Sequence, residues 1–178
     1  MAGGAKRTLI VGGVRSGKSR LAERLALESG LPVVYVATAR ADDAEMRRRI
    51  AEHQRRRRAD WHLVEEPLEL AEALAQACAP DRCVLVECLT LWLTNWLMRT
   101  DESGLHDQMQ GLLAAAAHAP GRLILVGNET NMGVVPLGEL SRRFCDLAGG
   151  LHQDLAARCD QVILSVAGLP LALKGPAP

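Results

Sequence analysis

Apolar residues in this chain fall into short unbroken runs separated by longer stretches with a helical repeat. Thr8-Leu9-Ile10-Val11, Val33-Val34-Tyr35-Val36-Ala37, Cys83-Val84-Leu85-Val86 and the run from Arg122 to Val126 are short and lack the polar alternation of a half-exposed strand. Runs of this kind fit strands buried on both faces. The stretch from Lys18 to Ser29 sets Leu21 and Leu25 one turn apart, and Gly30 and Pro32 then stop it. Further helices are predicted from Asp42 or Asp43 to about Arg55, over Glu69 to Ala79, Leu91 to Met98, Asp107 to His118 and Glu139 to Arg158. Trp61 to Val64 reads as a short extended piece. Val162 to Val166 and Leu171 to Lys174 read as strands joined at Gly168-Leu169-Pro170. Strand and helix alternating in this way predict one α/β domain over residues 1–178, a mostly parallel sheet with helices on both faces.

The junction between the first strand and the first helix carries the most specific chemistry. Gly12, Gly13, Val14, Arg15, Ser16, Gly17, Lys18 and Ser19 complete the pattern G-x-x-x-x-G-K-[ST] in its strand–loop–helix context. Glycines let backbone N–H groups curl around phosphate oxygens, and the helix N-terminus adds the positive end of its dipole. Lys18 then reaches the β- and γ-phosphates and Ser19 holds Mg²⁺. The predicted fold is therefore a P-loop NTPase domain of the RecA-like type, binding a nucleoside triphosphate.

Other candidates follow from position. Glu87 ends the third apolar strand at the carboxyl edge of the sheet, where open α/β sheets bind ligands. There it can orient metal-bound water or contact the nucleotide, as a second metal-side residue beside Ser19. Its bland alternative is a surface acid closing a strand. His53 shares a helical stripe with Met46 and Ile50, a setting in which most histidines are only packed. The residues after it, Gln54-Arg55-Arg56-Arg57-Arg58, supply positive charge suited to a polyphosphate, or else a solvated arginine face at a helix end. Glu65 and Glu66 close the short extended piece and are candidate ribose acceptors. The loop Asn128 to Gly133 is expected at the same sheet edge. His62, His106, His118 and His152 are read as structural or exposed.

Composition narrows the class. Lys plus Arg and Asp plus Glu are 21 each, so the net charge is zero, and the chain has one Tyr and one Phe. Neither balance suits a nucleic-acid surface, which needs excess positive charge and stacking rings. The five cysteines lack C-x₂-C pairs and are expected as small apolar residues in a reducing cytoplasm. No stretch approaches membrane-spanning length.

The ordered motifs resemble the bifunctional adenosylcobinamide kinase/adenosylcobinamide-phosphate guanylyltransferase family of cobalamin biosynthesis. The matching stretches are Gly12–Ser19, Tyr35 to Thr38, Asp42 to His53, Val86 to Thr90, Thr94-Asn95, Asn128-Glu129, Met132 to Pro136 and Arg143 to Gly149. They cover nearly the whole chain in order. The resemblance implies phosphorylation of adenosylcobinamide by ATP or GTP, then transfer of GMP from GTP through a guanylyl-histidine. His53 stands where the family has that nucleophile. The resemblance also implies that Arg40, Ala41, Asp42, Gln54, Arg55, Arg56, Arg57, Glu65 and Glu87 line the guanine-nucleotide site, and that the enzyme is a homotrimer. Thr130-Asn131 replaces a smaller Val-Gly pair of some relatives. Two competing readings make different demands: a plain P-loop small-molecule kinase needs no nucleophilic His53, and a nucleotide-regulated nucleic-acid binder needs the Arg47 to Arg58 cluster.

Overall fold

The computed structural model describes residues 6–40, 44, 47–48, 51, 55, 58–99 and 101–178. Its strands are β1 (Arg7–Gly12), β2 (Val33–Ala37), β3 (His62–Glu65), β4 (Cys83–Glu87), β5 (Arg122–Asn128), β6 (Gln161–Val166) and β7 (Leu169–Lys174). The helices are α1 (Lys18–Glu28), α2 (Leu70–Ala77), α3 (Leu89–Leu97), α4 (Leu105–His118) and α5 (Glu139–Arg158). Ala44, Arg47, Arg48, Ala51 and Arg55 are also helical. The predicted helix start at Asp42 or Asp43 lies outside the described residues.

The strands form a seven-stranded sheet in the order β3-β2-β4-β5-β1-β6-β7, parallel except for the β6–β7 hairpin. Alternate residues of the central strands feed two cores. Leu9, Val11, Val84, Val86, Leu123 and Leu125 face α2 to α5. Ile10, Leu85, Ile124 and Val126 face the other way, onto Leu21, Ala22, Leu25 and Ala26 of α1. Both sheet faces are thus covered, which explains why these strands read as continuous apolar runs. Among the described residues no helix is long and apolar enough to cross a membrane.

Several boundaries move from the sequence expectation, among them the end of α2, which stops at Ala77 rather than Ala79. α3 begins at Leu89 and α4 at Leu105, each two residues early, and β5 runs on to Asn128. The last hairpin turns at Ala167-Gly168, with φ of 52° and 81°, so Leu169 and Pro170 belong to β7 rather than to the turn. Two consecutive positive-φ residues make the mirror-image turn that matches strand twist. Pro170 is tolerated because β7 is the edge strand.

Candidate active site

The phosphate loop is the chain between β1 and α1, and its shape is enforced from both sides. Gly12 could not be larger: a Cβ there would lie 2.3 Å from the Ser165 carbonyl oxygen of β6. Gly17 has φ 99°, which glycine adopts at little cost, and its carbonyl accepts the Leu21 N–H at 3.0 Å as α1 begins. Ser16 is buried, and its carbonyl accepts two bonds from the β6–β7 corner, from Ser165 Oγ at 2.8 Å and from Gly168 N–H at 2.9 Å. The Glu129 N–H donates to the Gly12 carbonyl at 2.9 Å. The loop is therefore tied to the strands on either side of β1.

Lys18 is only 7% exposed, and its Nζ donates to the Gly13 carbonyl at 2.6 Å. Burial lowers its pKa from 10.5, while the Cys88 and Glu87 side chains act in the opposite direction. The ammonium is curled into its own loop, at the place where a phosphate would compete for it. Ser19 Oγ donates to Glu87 Oε1, and Tyr35 OH donates to Glu87 Oε2 at 3.3 Å. Sequence reasoning brought Glu87 to this edge; it missed Tyr35, whose ring stacks on Trp61 in the α1-side core at a centroid distance of 6.3 Å. The unbroken apolar run of β2 gives no signal for it; the structure puts Val33 and Tyr35 on the face turned to α1.

Behind Glu87, a polar network fixes the ends of β2 and β4 together. Thr38, fully buried, accepts the Cys88 N–H at 2.8 Å and donates to the Cys88 carbonyl at 2.7 Å. Buried Asn95 of α3 donates from Nδ2 to the Thr38 and Pro67 carbonyls at 2.8 and 3.0 Å. Thr90 Oγ1 accepts the Asn128 N–H at 2.7 Å, linking α3 to the end of β5. Thr38, Thr90 and Asn95 were legible only as parts of matched motifs; their role is positional.

Arg40 and Glu65 are exposed at the same edge, after β2 and at the end of β3, where Glu65 stands in register with Ala37. Arg55 is exposed, and its Nε donates to the Ala51 carbonyl at 3.2 Å. Ala41, Asp42, His53, Gln54, Arg56 and Arg57 lie outside the described residues. Glu66 serves local structure, since its Oε1 accepts the Leu68 and Glu69 N–H groups, both at 2.8 Å. His62, His106 and His118 are exposed. His152 is not an isolated residue: its Nε2 lies 2.6 Å from where a Cβ on Gly127 would be, and the Glu129 charge acts on its ring.

The match to known proteins decides what this edge belongs to. The family model for cobinamide kinase / cobinamide phosphate guanyltransferase matches residues 8–173. The chain belongs to that family. It is accordingly a bifunctional enzyme, a phosphotransferase and a nucleotidyltransferase of cobalamin biosynthesis. The chain is 60% identical to the bifunctional adenosylcobalamin biosynthesis protein CobP of Pseudomonas aeruginosa, over 95% of this chain and 98% of that one. It is 37% identical to the CobU protein of Escherichia coli, over 93% and 98%. Among solved structures it is similar in fold to the RadB recombinase (TM-score 0.50, 21% identity, 90% of this chain and 74% of that one). It is also similar to a type III secretion ATPase (TM-score 0.51, 12% identity, 94% and 57%). Those two likenesses bear out the RecA-like P-loop fold and nothing further. Membership in the cobinamide kinase / guanyltransferase family removes the plain-kinase reading.

Proposed function

We propose that one nucleotide site on the Gly12–Ser19 loop serves both family reactions and that His53 carries GMP in the second. The observation that supports this most directly is the convergence of Lys18, Ser19 and Glu87 at one sheet edge. In the kinase half, Lys18 and the loop N–H groups hold the β- and γ-phosphates of ATP or GTP while the hydroxyl of adenosylcobinamide takes the γ-phosphoryl. In the guanylyltransferase half, neutral His53 imidazole attacks the α-phosphorus of GTP. Pyrophosphate leaves, and the resulting phosphoramidate gives GMP to the phosphorylated corrinoid.

Ser19 and Glu87 offer neighbouring oxygen ligands, a set that fits Mg²⁺, which takes one or two protein oxygens plus substrate phosphates. Bound there, Mg²⁺ would neutralise charge on the phosphates. Arg40, Ala41, Asp42, Gln54, Arg55, Arg56, Arg57 and Glu65 complete the nucleotide pocket in this reading, with the arginines stabilising the departing pyrophosphate. Met132, Val134, Val135 and Leu137 follow the end of β5 as exposed apolar side chains and suit the body of a corrinoid acceptor. All five cysteines are free, in keeping with a cytoplasmic enzyme. The working unit is a homotrimer.

Mass spectrometry tests the reading after incubation with GTP and Mg²⁺. Denatured wild type should carry a GMP-sized adduct that His53→Ala lacks, and the native spectrum should show three chains. An adduct on both proteins would move the nucleophile elsewhere, and a single-chain native mass would remove the trimer.

A further inference from the structure

Phosphoryl transfer to a hydroxyl needs a group that receives the hydroxyl proton, and it must stand beside the phosphate loop without already being engaged there. Glu87 is engaged twice, by Ser19 Oγ and Tyr35 OH, on the α1 side of the sheet. Nearer to the loop than Glu65 at the end of β3 stands a further carboxylate, that of Glu129 after β5. Its backbone is locked to the first glycine of the loop by the 2.9 Å bond to the Gly12 carbonyl. β5 lies between β4 and β1, so the residue that follows it emerges between Glu87 and the loop.

The surroundings of Glu129 hold it in one arrangement. Its Oε1 accepts the Asn131 N–H at 2.6 Å, and Asn131 in turn donates from Nδ2 to the Cys145 carbonyl of α5 at 3.0 Å. Thr130 Oγ1 donates to Asn131 Oδ1 at 3.1 Å. Among the described residues, Oε2 of Glu129 has no hydrogen-bond partner and no lysine or arginine pairs with the carboxylate. The nearby His152 ring is packed over Gly127. The strand alternation that turns Leu125 toward α5 and Val126 toward α1 puts Gly127 and Glu129 on the α5 side, opposite Glu87. The two carboxylates thus sit on opposite faces of the sheet beside the loop.

We infer that Glu129 is the catalytic residue that orients the acceptor hydroxyl and receives its proton in the phosphorylation half. The hydroxyl oxygen forms a bond to the γ-phosphorus, and the bond from that phosphorus to the β–γ bridging oxygen breaks. The electron pair leaves with the nucleoside diphosphate, and the proton passes to Glu129 Oε2 and then to solvent. This assignment rests on the reading that the phosphate loop holds the donor. Guanylyl transfer to the phosphorylated corrinoid has a phosphate as its acceptor, with no hydroxyl proton to remove, so Glu129 has no such task there.

The test uses the full-length enzyme with two separate assays: phosphorylation of adenosylcobinamide by ATP and Mg²⁺, and GMP transfer from GTP to adenosylcobinamide phosphate supplied directly. Glu129→Gln keeps the oxygen that accepts the Asn131 N–H and removes the base. Its kinase kcat should fall about a hundredfold or more, with KM for ATP and the rate of GMP transfer within about threefold of wild type. Glu129→Asp, which keeps a carboxylate, should retain more kinase activity than Glu129→Gln. A purely structural role predicts the reverse order, because glutamine is the closer match in shape. Equal losses in both assays, a change confined to KM, or a milder Gln variant would overturn the assignment. Wild type that fails to phosphorylate adenosylcobinamide would instead sink the donor-site reading.

Discussion

His152 shows how much of a residue's meaning comes from its neighbours. Burial lowers its pKa from 6.5, with the Glu129 carboxylate acting in the opposite direction. The folded value lies below the ordinary one, so between the two the unfolded chain binds a proton that the folded chain refuses. Stability therefore falls as pH falls through that interval. From about pH 7 to about pH 5, the melting temperature of wild type should drop more steeply than that of His152→Asn. Parallel melting curves would contradict the buried neutral imidazole. Residues inside a contiguous motif, such as Lys18 and Ser19, were legible in the sequence because their partners are adjacent in the chain. Tyr35 against Glu87, and Glu129 beside His152, were not, because only the sheet brings those pairs together.

Elements position the site through their ends rather than their cores. β2 and β4 run in register from Val33 with Cys83 to Ala37 with Glu87, and just beyond them Thr38 bridges to both backbone groups of Cys88. α3 contributes Asn95, which holds the carbonyls of Thr38 and Pro67 from a buried position. Asn95→Ala would leave two carbonyls without this donor, at a cost of about 1–3 kcal/mol. Urea unfolding checks this: the midpoint should fall with the slope unchanged, and a loss under about 0.5 kcal/mol would show that the network does not fix this end. Strand and helix types were legible from hydrophobic runs because both faces of the sheet are covered. Boundaries were less so. Leu89 and Thr90 join α3 because Cys88 accepts the first turn's Trp92 N–H, and Ala167 takes a left-handed conformation that a reading from glycine and proline alone passes over.

At the scale of the whole molecule, the parallel sheet directs the ends of β1, β2, β4 and β5 to one edge, and that edge collects the loop, Glu87 and Glu129. Helices cover both faces of the sheet, and the loop stays clamped between β5 and the β6–β7 corner. Two reactions on different phosphorus atoms of a triphosphate can then share one anchor for the phosphates and differ in the group that attacks. The P-loop fold and the family were legible in the sequence, since ordered motifs run through nearly the whole chain; the division of labour around the loop had to wait for the sheet order. The most direct measurement is the rate of both reactions, assayed separately, in Lys18→Ala and His53→Ala. The account predicts that Lys18→Ala loses both by about a hundredfold or more, and that His53→Ala loses GMP transfer while keeping adenosylcobinamide phosphorylation. GMP transfer that survives in Lys18→Ala would contradict a single shared nucleotide site, and equal loss of both reactions in a folded His53→Ala would contradict separate roles for the phosphate anchor and the attacking histidine.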